Sequence, residues 1–345
     1  DVIGITGSFG KTSVKHILGH ILELNAPTLF TPGSVNTLMG ISRIIREKLT
    51  PDTRFFVVEM GAYGQGSIAK LCRLTPPKIG IITALGEAHY ERFKSLDSVA
   101  RAKFELAEAV TSQSGGKMVI HEDVLGQEYA RAFVEKHRDA FVICGRGAGA
   151  DLVIKNVEQT AKGLTVTVVW QKQEYALFAP LHGAAHANNM AMAFATAIVC
   201  GISPDRACAS LRTVPQIKHR LEVRTQPDGM TVIDDAYNSN PKGFEAALDL
   251  LALVGAEKNA RRFLVTPGIV ELGDKNDEIH RALGMKAGKA ADVVIVVRSD
   301  KISAFAEGVL TAAPDKEVHL VPGFKEARAW LDLNTKSTDV ILLEN

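Results

Sequence analysis

The sequence predicts an α/β protein in two parts. A central P-loop domain with a mostly parallel sheet comes first, and a smaller Rossmann-like α/β domain follows at the C-terminal end. Three observations carry this expectation. Short β-branched runs alternate with longer periodic segments along most of the chain. A glycine loop, Thr6-Gly7-Ser8-Phe9-Gly10-Lys11-Thr12-Ser13, follows the first run and opens the first periodic segment. The length of 345 residues suits two domains at roughly 150 residues each.

Taken in order, the strands expected in the first part are Val2–Thr6, Phe55–Glu59, Ile79–Thr83, Met118–Ile120 and Phe141–Cys144. Helices are expected over Lys11–Leu24, Ser67–Leu74 and Ser98–Val110. Such alternation builds a parallel sheet with right-handed crossovers. The stretch Leu152–Pro180 differs: Leu164-Thr165-Val166-Thr167-Val168-Val169-Trp170 follows the turn Lys162-Gly163, which predicts antiparallel strands added at the sheet edge. An Ala-rich helix is expected over about Ala187–Val199. Gly201-Ile202-Ser203-Pro204 reads as a helix stop, an N-cap at Ser203 and a proline at the first helical position. A second alternating block starts near Leu221. Its expected strands are Thr231–Asp235, Arg262–Thr266, Val293–Val297, His319–Val321 and Val340–Leu343. Its expected helices are Lys242–Leu253, Asn276–Ala290, Ser303–Ala312 and Lys325–Leu333. The domains are therefore placed at 1–213 and 221–345, with a hinge at 214–220.

Composition narrows the function. Lys+Arg number 40 and Asp+Glu 39, a net charge of +1, so the electrostatic footprint of a nucleic-acid or anionic-membrane binder is missing. No apolar stretch approaches the roughly 20 residues that span a bilayer. The four cysteines, Cys72, Cys144, Cys200 and Cys208, lack metal-type spacing and read as reduced packing residues of a cytoplasmic protein. The chain starts almost inside a strand and stops as abruptly, so a longer parent is expected at both ends.

The strongest motif is the glycine loop. Glycines let the backbone turn so that N–H groups point at phosphate oxygens, and the helix N-terminus adds partial positive charge. Lys11 supplies a full charge for the outer phosphates and Thr12 a hydroxyl for Mg²⁺. Gly7, Ser8, Gly10, Lys11, Thr12 and Ser13 are thus the candidate ATP-phosphate contacts. The standard spacing would put Gly where Ile5 stands; the shorter Gly-x-x-Gly-Lys-Thr form is present instead.

This loop resembles that of the Mur ligases, the ATP-dependent amide-forming enzymes of peptidoglycan synthesis, whose architecture folylpolyglutamate synthetase shares. Glu59-Met60-Gly61-Ala62 is similar to the family's Glu-x-Gly. Thr83-Ala84-Leu85-Gly86-Glu87-Ala88-His89, with Phe93 and Ser95-Leu96-Asp97, resembles Thr-Asn-Ile-Gly-Glu-Ala-His…Phe-Gly-Ser-Leu. Ala102-Lys103-Phe104-Glu105 resembles Ala-Lys-x-Glu. Asp234-Asp235-Ala236-Tyr237-Asn238-Ser239-Asn240-Pro241 and Glu271-Leu272-Gly273 with His280 resemble motifs of the MurF branch, which joins D-Ala-D-Ala to the UDP-MurNAc-tripeptide. The resemblance covers nearly the whole chain. It departs at Ala84, where Asn is usual, and at Ser67, where Glu is usual. It also departs in having no UDP-binding domain before Asp1.

Glu59 and His89 sit at strand ends, where ligands of open parallel sheets bind, and a carboxylate with an imidazole suits a divalent cation bridging phosphates. Thr12, Glu59, His89 and Lys103 form the candidate Mg²⁺ set. By resemblance Lys103 is carbamylated, which turns a repelling ammonium into a carboxylate-like anion. A solvated helix lysine and a core histidine are the plain alternatives. The resemblance also assigns Asn189 to adenine, with a helix-start cap as the other reading. It assigns Arg220 to the ATP phosphates when the C-terminal domain closes, with Lys218 or His219 standing where Gly is usual. Asp235 would face ATP from the other side. Asn238 suits a ligand or an Asx turn. The catalytic candidates are Lys11, Lys103, His89, Arg220 and His280, the last where the incoming amine would be held.

The implied chemistry is phosphoryl transfer from ATP to a carboxylate, then amine attack on the acyl phosphate, by positioning and charge stabilisation. The substrates expected are a carboxylate-bearing precursor and an amino acid or dipeptide, handled by a monomer. Two alternatives stay open: a Mur-like ligase for another acid and amine, or a non-catalytic ATP-binding scaffold. A P-loop kinase or GTPase is weaker, since no Asn-Lys-x-Asp occurs.

Overall fold

The computed structural model describes residues 1–86, 95–236, 240–270, 272–298, 300 and 302–345. The chain divides into two compact units, 1–158 with 165–179 and 185–214, and 215–345 with 159–164 and 180–184. Two short stretches of the first block thus group with the second unit.

The first unit is organised on a nine-stranded sheet in the order β2-β3-β1-β4-β5-β6-β7-β8-β9. Its strands are β1 Val2–Thr6, β2 Thr28–Phe30, β3 Phe55–Glu59, β4 Ile79–Ile82, β5 Lys117–His121, β6 Phe141–Gly145, β7 Leu152–Thr160, β8 Gly163–Trp170 and β9 Gln173–Ala179. From β2 through β6 every printed pairing is parallel. The central strands are apolar on both faces because helices cover both, and Ile3, Ile5 and Val57 are fully buried. β7 enters the edge parallel to β6, through Cys144↔Leu152 and Gly145↔Val153, so this edge is not wholly antiparallel as expected. Gln171 and Lys172 between β8 and β9 both take positive φ, 49° and 69°, the two-residue turn whose twist suits a hairpin.

The helix after β1 spans Lys11–Glu23 and leads to β2 on one side of β1, whereas Ser67–Leu74 carries the chain from β3 to β4 on the other. The chain therefore changes direction at β1, and the crevice at such a switch point is where α/β sheets bind ligands. The helix Leu96–Thr111 and the Ala-rich helix Ala185–Val199 each begin two residues ahead of expectation. Pro204–Leu211 starts at its proline with Ser203 in the cap position, but the Ser203 side chain makes no cap bond. The sequence reading missed β2 and the helices Leu38–Lys48 and Glu128–Lys136.

The second unit carries a six-stranded sheet in the order β10-β11-β15-β12-β13-β14. These are Glu222–Thr225, Thr231–Asp235, Val340–Glu344, Arg262–Thr266, Val293–Val297 and Glu317–Val321 respectively. All pairings are parallel except β10 on β11, an antiparallel edge strand that went unpredicted. The helix Pro241–Lys258 runs five residues past expectation and ends at Asn259, which takes the left-handed conformation that stops helices. Among the described residues no helix is long and apolar enough to cross a membrane.

Candidate active site

The glycine loop leaves β1, an interior strand of the first sheet between β3 and β4. Gly7 and Gly10 have φ of +150° and +80°. A Cβ on Gly7 would lie 1.9 Å from Thr83 Oγ1, and one on Gly10 would lie 2.7 Å from Asn189 Oδ1. The loop is pinned from the β4 end: Ser8 N–H donates to Ala84 O at 2.9 Å, and the Ser8 hydroxyl donates to Gly86 O at 3.0 Å. Thr83 Oγ1 donates to Phe9 O. Ala84, which replaces the family's usual Asn, thus serves the loop through its backbone carbonyl. Gly10 caps the helix Lys11–Glu23 without a side chain, leaving the first-turn N–H groups for an anion. Lys11 Nζ folds back and donates to Gly7 O at 2.7 Å. Ser13 is buried in the first turn.

Glu59 ends β3 opposite Ile5 and is 1% exposed. Among the described residues its carboxylate collects three donors. Thr12 Oγ1 donates to Oε2 at 3.0 Å, Lys15 Nζ to Oε2 at 2.8 Å, and Asn36 Nδ2 to Oε1 at 3.2 Å. Lys15 and Asn36 were not foreseen. The signal for Lys15 was its place four residues after Lys11, on the same helix face. Lys103 is buried on Leu96–Thr111, and burial, with the Lys11 charge adding to it, pushes its pKa down to about 7. It is therefore no solvated helix lysine. Glu105, from the same motif, accepts Gly66 N–H and, at 2.8 Å, Ala69 N–H, so it caps Ser67–Leu74. Asn189 lies in the second turn of Ala185–Val199, not at its start, so the cap reading fails; its amide sits against Gly10.

The second unit places its candidates by themselves. Arg220 is flanked by His219 and Leu221, both left-handed at φ 58° and 52°. Such non-glycine residues cost of order 1–2 kcal/mol. Leu221 N–H donates to Asp235 Oδ1 at 3.0 Å, and His219 Nδ1 meets Asp234 Oδ2 at 3.0 Å, which holds the turn. Burial pushes the Asp235 carboxyl up to about 6. His219, Glu222 and Asp234 bring ligand-type atoms within 4.8 Å of one another, but Arg224, 2.7 Å from Asp234, already supplies the cation there.

His280 corrects an expectation. It is fully buried; its Nε2 accepts Ile269 N–H at 3.0 Å and its Nδ1 donates to Asn276 O at 2.9 Å. Burial pulls its pKa down, so it is neutral. With both nitrogens engaged, it holds the 268–269 turn rather than meeting an amine. His89, Asn238 and Glu271 lie outside the described residues.

A sequence model of the Mur ligase middle domain matches residues 5–197, and one described as Mur ligase, glutamate ligase domain matches residues 219–344. The UDP-N-acetylmuramoyl-tripeptide–D-alanyl-D-alanine ligase of Mycobacterium tuberculosis is 32% identical over 318 residues, covering 90% of this chain and 61% of that protein. The ligase of the same name from Mycobacterium leprae is 30% identical over 369 residues, covering 99% of this chain and 70% of that protein. The chain thus spans about 61% of the length of the first of these relatives. A crystal structure of MurF from Acinetobacter baumannii superposes with a TM-score of 0.84 at 26% identity, covering 100% of this chain and 73% of that one. The MurF ligase of Thermotoga maritima in complex with ADP, at 24% identity and a TM-score of 0.76, shares the fold over 99% of this chain and 75% of its own. The chain belongs to the Mur ligase family.

Proposed function

We propose that the protein is an ATP-dependent ligase that forms an amide bond through an acyl phosphate, adding D-alanyl-D-alanine to UDP-N-acetylmuramoyl-tripeptide in peptidoglycan precursor synthesis. The observation that carries this reading is the convergence of Lys11, Thr12, Glu59 and a buried, easily neutral Lys103 on one sheet edge. The names of the relatives supply the substrate pair.

The residues fit a divalent cation. An ionised carboxylate offers about four lone-pair sites, and the three donors among the described residues leave one on Glu59 Oε1. Thr12 and Glu59 would hold Mg²⁺, with Lys103 once carbamylated and His89 by resemblance. Bound there, Mg²⁺ would screen charge on the nucleotide phosphates. The loop N–H groups and Lys11 bind and orient the outer phosphates. Lys103, with its pKa pulled down to about 7, keeps a large neutral fraction near pH 7 and in that form can add CO₂ to its amine with loss of a proton, the step a charged lysine resists. Asn189 beside Gly10 is assigned to adenine, and Arg220 and Asp235 are assigned to the nucleotide from the second unit. We place the enzyme in the cytoplasm as a monomer, where ATP is supplied and four free cysteines stay reduced.

ADP release, measured with UDP-MurNAc-tripeptide and D-Ala-D-Ala each omitted in turn, tests the reading. Release should need both. Nucleotide binding without release under any combination would favour a scaffold instead.

A further inference from the structure

We propose that Asn36 is a positioning residue for Glu59: its side-chain amide fixes the plane of the carboxylate that would meet the cation, and Gly61 is glycine so that the amide can reach it. The proposal rests on the ligase reading, which puts a cation and a nucleotide at Thr12 and Glu59.

Asn36 is held from both sides. Ahead of it, Thr31 N–H donates to Val57 O at 3.0 Å, and the Thr31 hydroxyl accepts Glu59 N–H at 3.2 Å. Behind it, Thr37 caps the helix Leu38–Lys48 by accepting Gly40 N–H at 3.3 Å. The Asn36 carbonyl accepts Gly61 N–H at 3.0 Å, which ties the loop after β2 to the residues after Glu59. From this place Nδ2 donates to Glu59 Oε1 at 3.2 Å. The Tyr63 hydroxyl donates to Asn36 Oδ1 at a longer 3.4 Å, so the amide nitrogen is the end turned to Glu59. Thr12 and Lys15 both donate to Oε2. Among the described residues Asn36 is the donor on Oε1. Two donors on one oxygen leave the other free to swing about it, whereas a donor on each oxygen fixes the plane. Oε1 is also the oxygen with a position left for a cation.

Room for the amide comes from Gly61. A Cβ there would lie 2.8 Å from Asn36 Oδ1 and 3.2 Å from the Asn36 carbonyl oxygen. The side-chain oxygen is the part that can move, and the whole amide turns with it. Gly61 is not among the glycines with positive φ, so close approach, not backbone conformation, is what the last position of Glu59-Met60-Gly61 requires. Hydrogen-bond partners that orient a ligating carboxylate typically change metal affinity by about 10–100-fold. An asparagine serving packing alone would shift cation-dependent and cation-free nucleotide binding together, or neither.

The test is calorimetric binding of β,γ-methylene-ATP, once as its Mn²⁺ complex and once in EDTA. It compares the wild type, Asn36→Ala, Gly61→Ala and the double variant. The wild type should bind the Mn²⁺ complex at least ~10-fold more tightly than the metal-free analogue. Asn36→Ala should weaken binding of the Mn²⁺ complex by ~10-fold or more and leave metal-free binding unchanged. Gly61→Ala, with Asn36 intact, should show the same selective loss. The double variant should be no weaker than Asn36→Ala alone, because the methyl group acts only through the amide. Either single variant, folded and with wild-type affinity for the Mn²⁺ complex, would overturn the proposal, and so would losses that multiply in the double variant. Should Asn36→Ala not fold, Gly61→Ala decides alone: a selective loss supports the proposal and wild-type affinity overturns it. A wild type that binds the analogue equally well with and without Mn²⁺ would overturn the cation site of the ligase reading and this inference with it.

Discussion

The carboxyl ends of the two parallel sheets carry similar residue types and use them differently. At the first, Glu59 is buried and accepts three donors from the described residues, and Lys103 is buried with its pKa pulled down to about 7. At the second, Asp234 is taken by His219, Arg224 and Ala236 N–H, Asp235 holds Leu221 N–H, and both nitrogens of His280 are engaged. Burial of polar groups alone does not mark a reactive site. Among the described residues Asp234 accepts as many donors as Glu59, so spare carboxylate capacity does not separate the two edges; the glycine loop with its helix N-terminus and the buried Lys103 do.

This contrast can be broken by mutation, most severely at Lys11. Lys11→Ala should lower ADP release at least ~100-fold, the scale of losing a charge-stabilising donor. Near-wild-type release would mean the first edge does not handle phosphate. Next, Glu59→Ala leaves the buried Lys15 unpaired and should cost about 3 kcal/mol by urea denaturation. A loss under ~1 kcal/mol would show that the ion pair is relaxed or wet. His280→Ala should cost about 2 kcal/mol, since a buried N–H and a carbonyl lose their partner. If it instead abolished turnover with stability unchanged, the catalytic role drawn from resemblance would return and the contrast would fail.

The smallest effect is a pH slope. Burial raises the Asp235 carboxyl from 3.8 to about 6, so the folded chain holds a proton that the unfolded chain has lost. The group therefore contributes stability that is complete below pH 3.8 and disappears as pH rises through about 6. Stability of the wild type against that of Asp235→Asn, measured across this window, should show the slope only in the wild type. Parallel curves would place Asp235 in water.

Much of the frame was legible in the sequence. Buried parallel strands are continuous apolar runs between turn residues, and Val2–Thr6, Phe55–Glu59 and Val293–Val297 appear with the expected bounds. Strands with weak runs were missed: Thr28–Phe30 is three half-buried residues, and Glu222–Thr225 is a partly exposed edge. Leu38–Lys48 buries only Ile41 and Ile44, too thin a stripe to stand out. The loop with Lys11 and Thr12 was legible because its function is local. Lys15 and Asn36 were not, because they meet Glu59 across 44 and 23 residues, and nothing beside a helical lysine announces its burial. His280 was found but misread. A motif can locate a histidine, while only the structure shows that both its nitrogens are spent.

The central claim is that the loop edge activates a carboxylate as its acyl phosphate. It is tested most directly with UDP-MurNAc-tripeptide labelled with ¹⁸O in its reacting carboxylate. Amine attack on an acyl phosphate leaves one carboxylate oxygen on the phosphate that departs. Mass spectrometry of inorganic phosphate from a reaction with ATP and D-Ala-D-Ala should find one ¹⁸O per phosphate released. Unlabelled phosphate, formed together with ADP, would contradict the account.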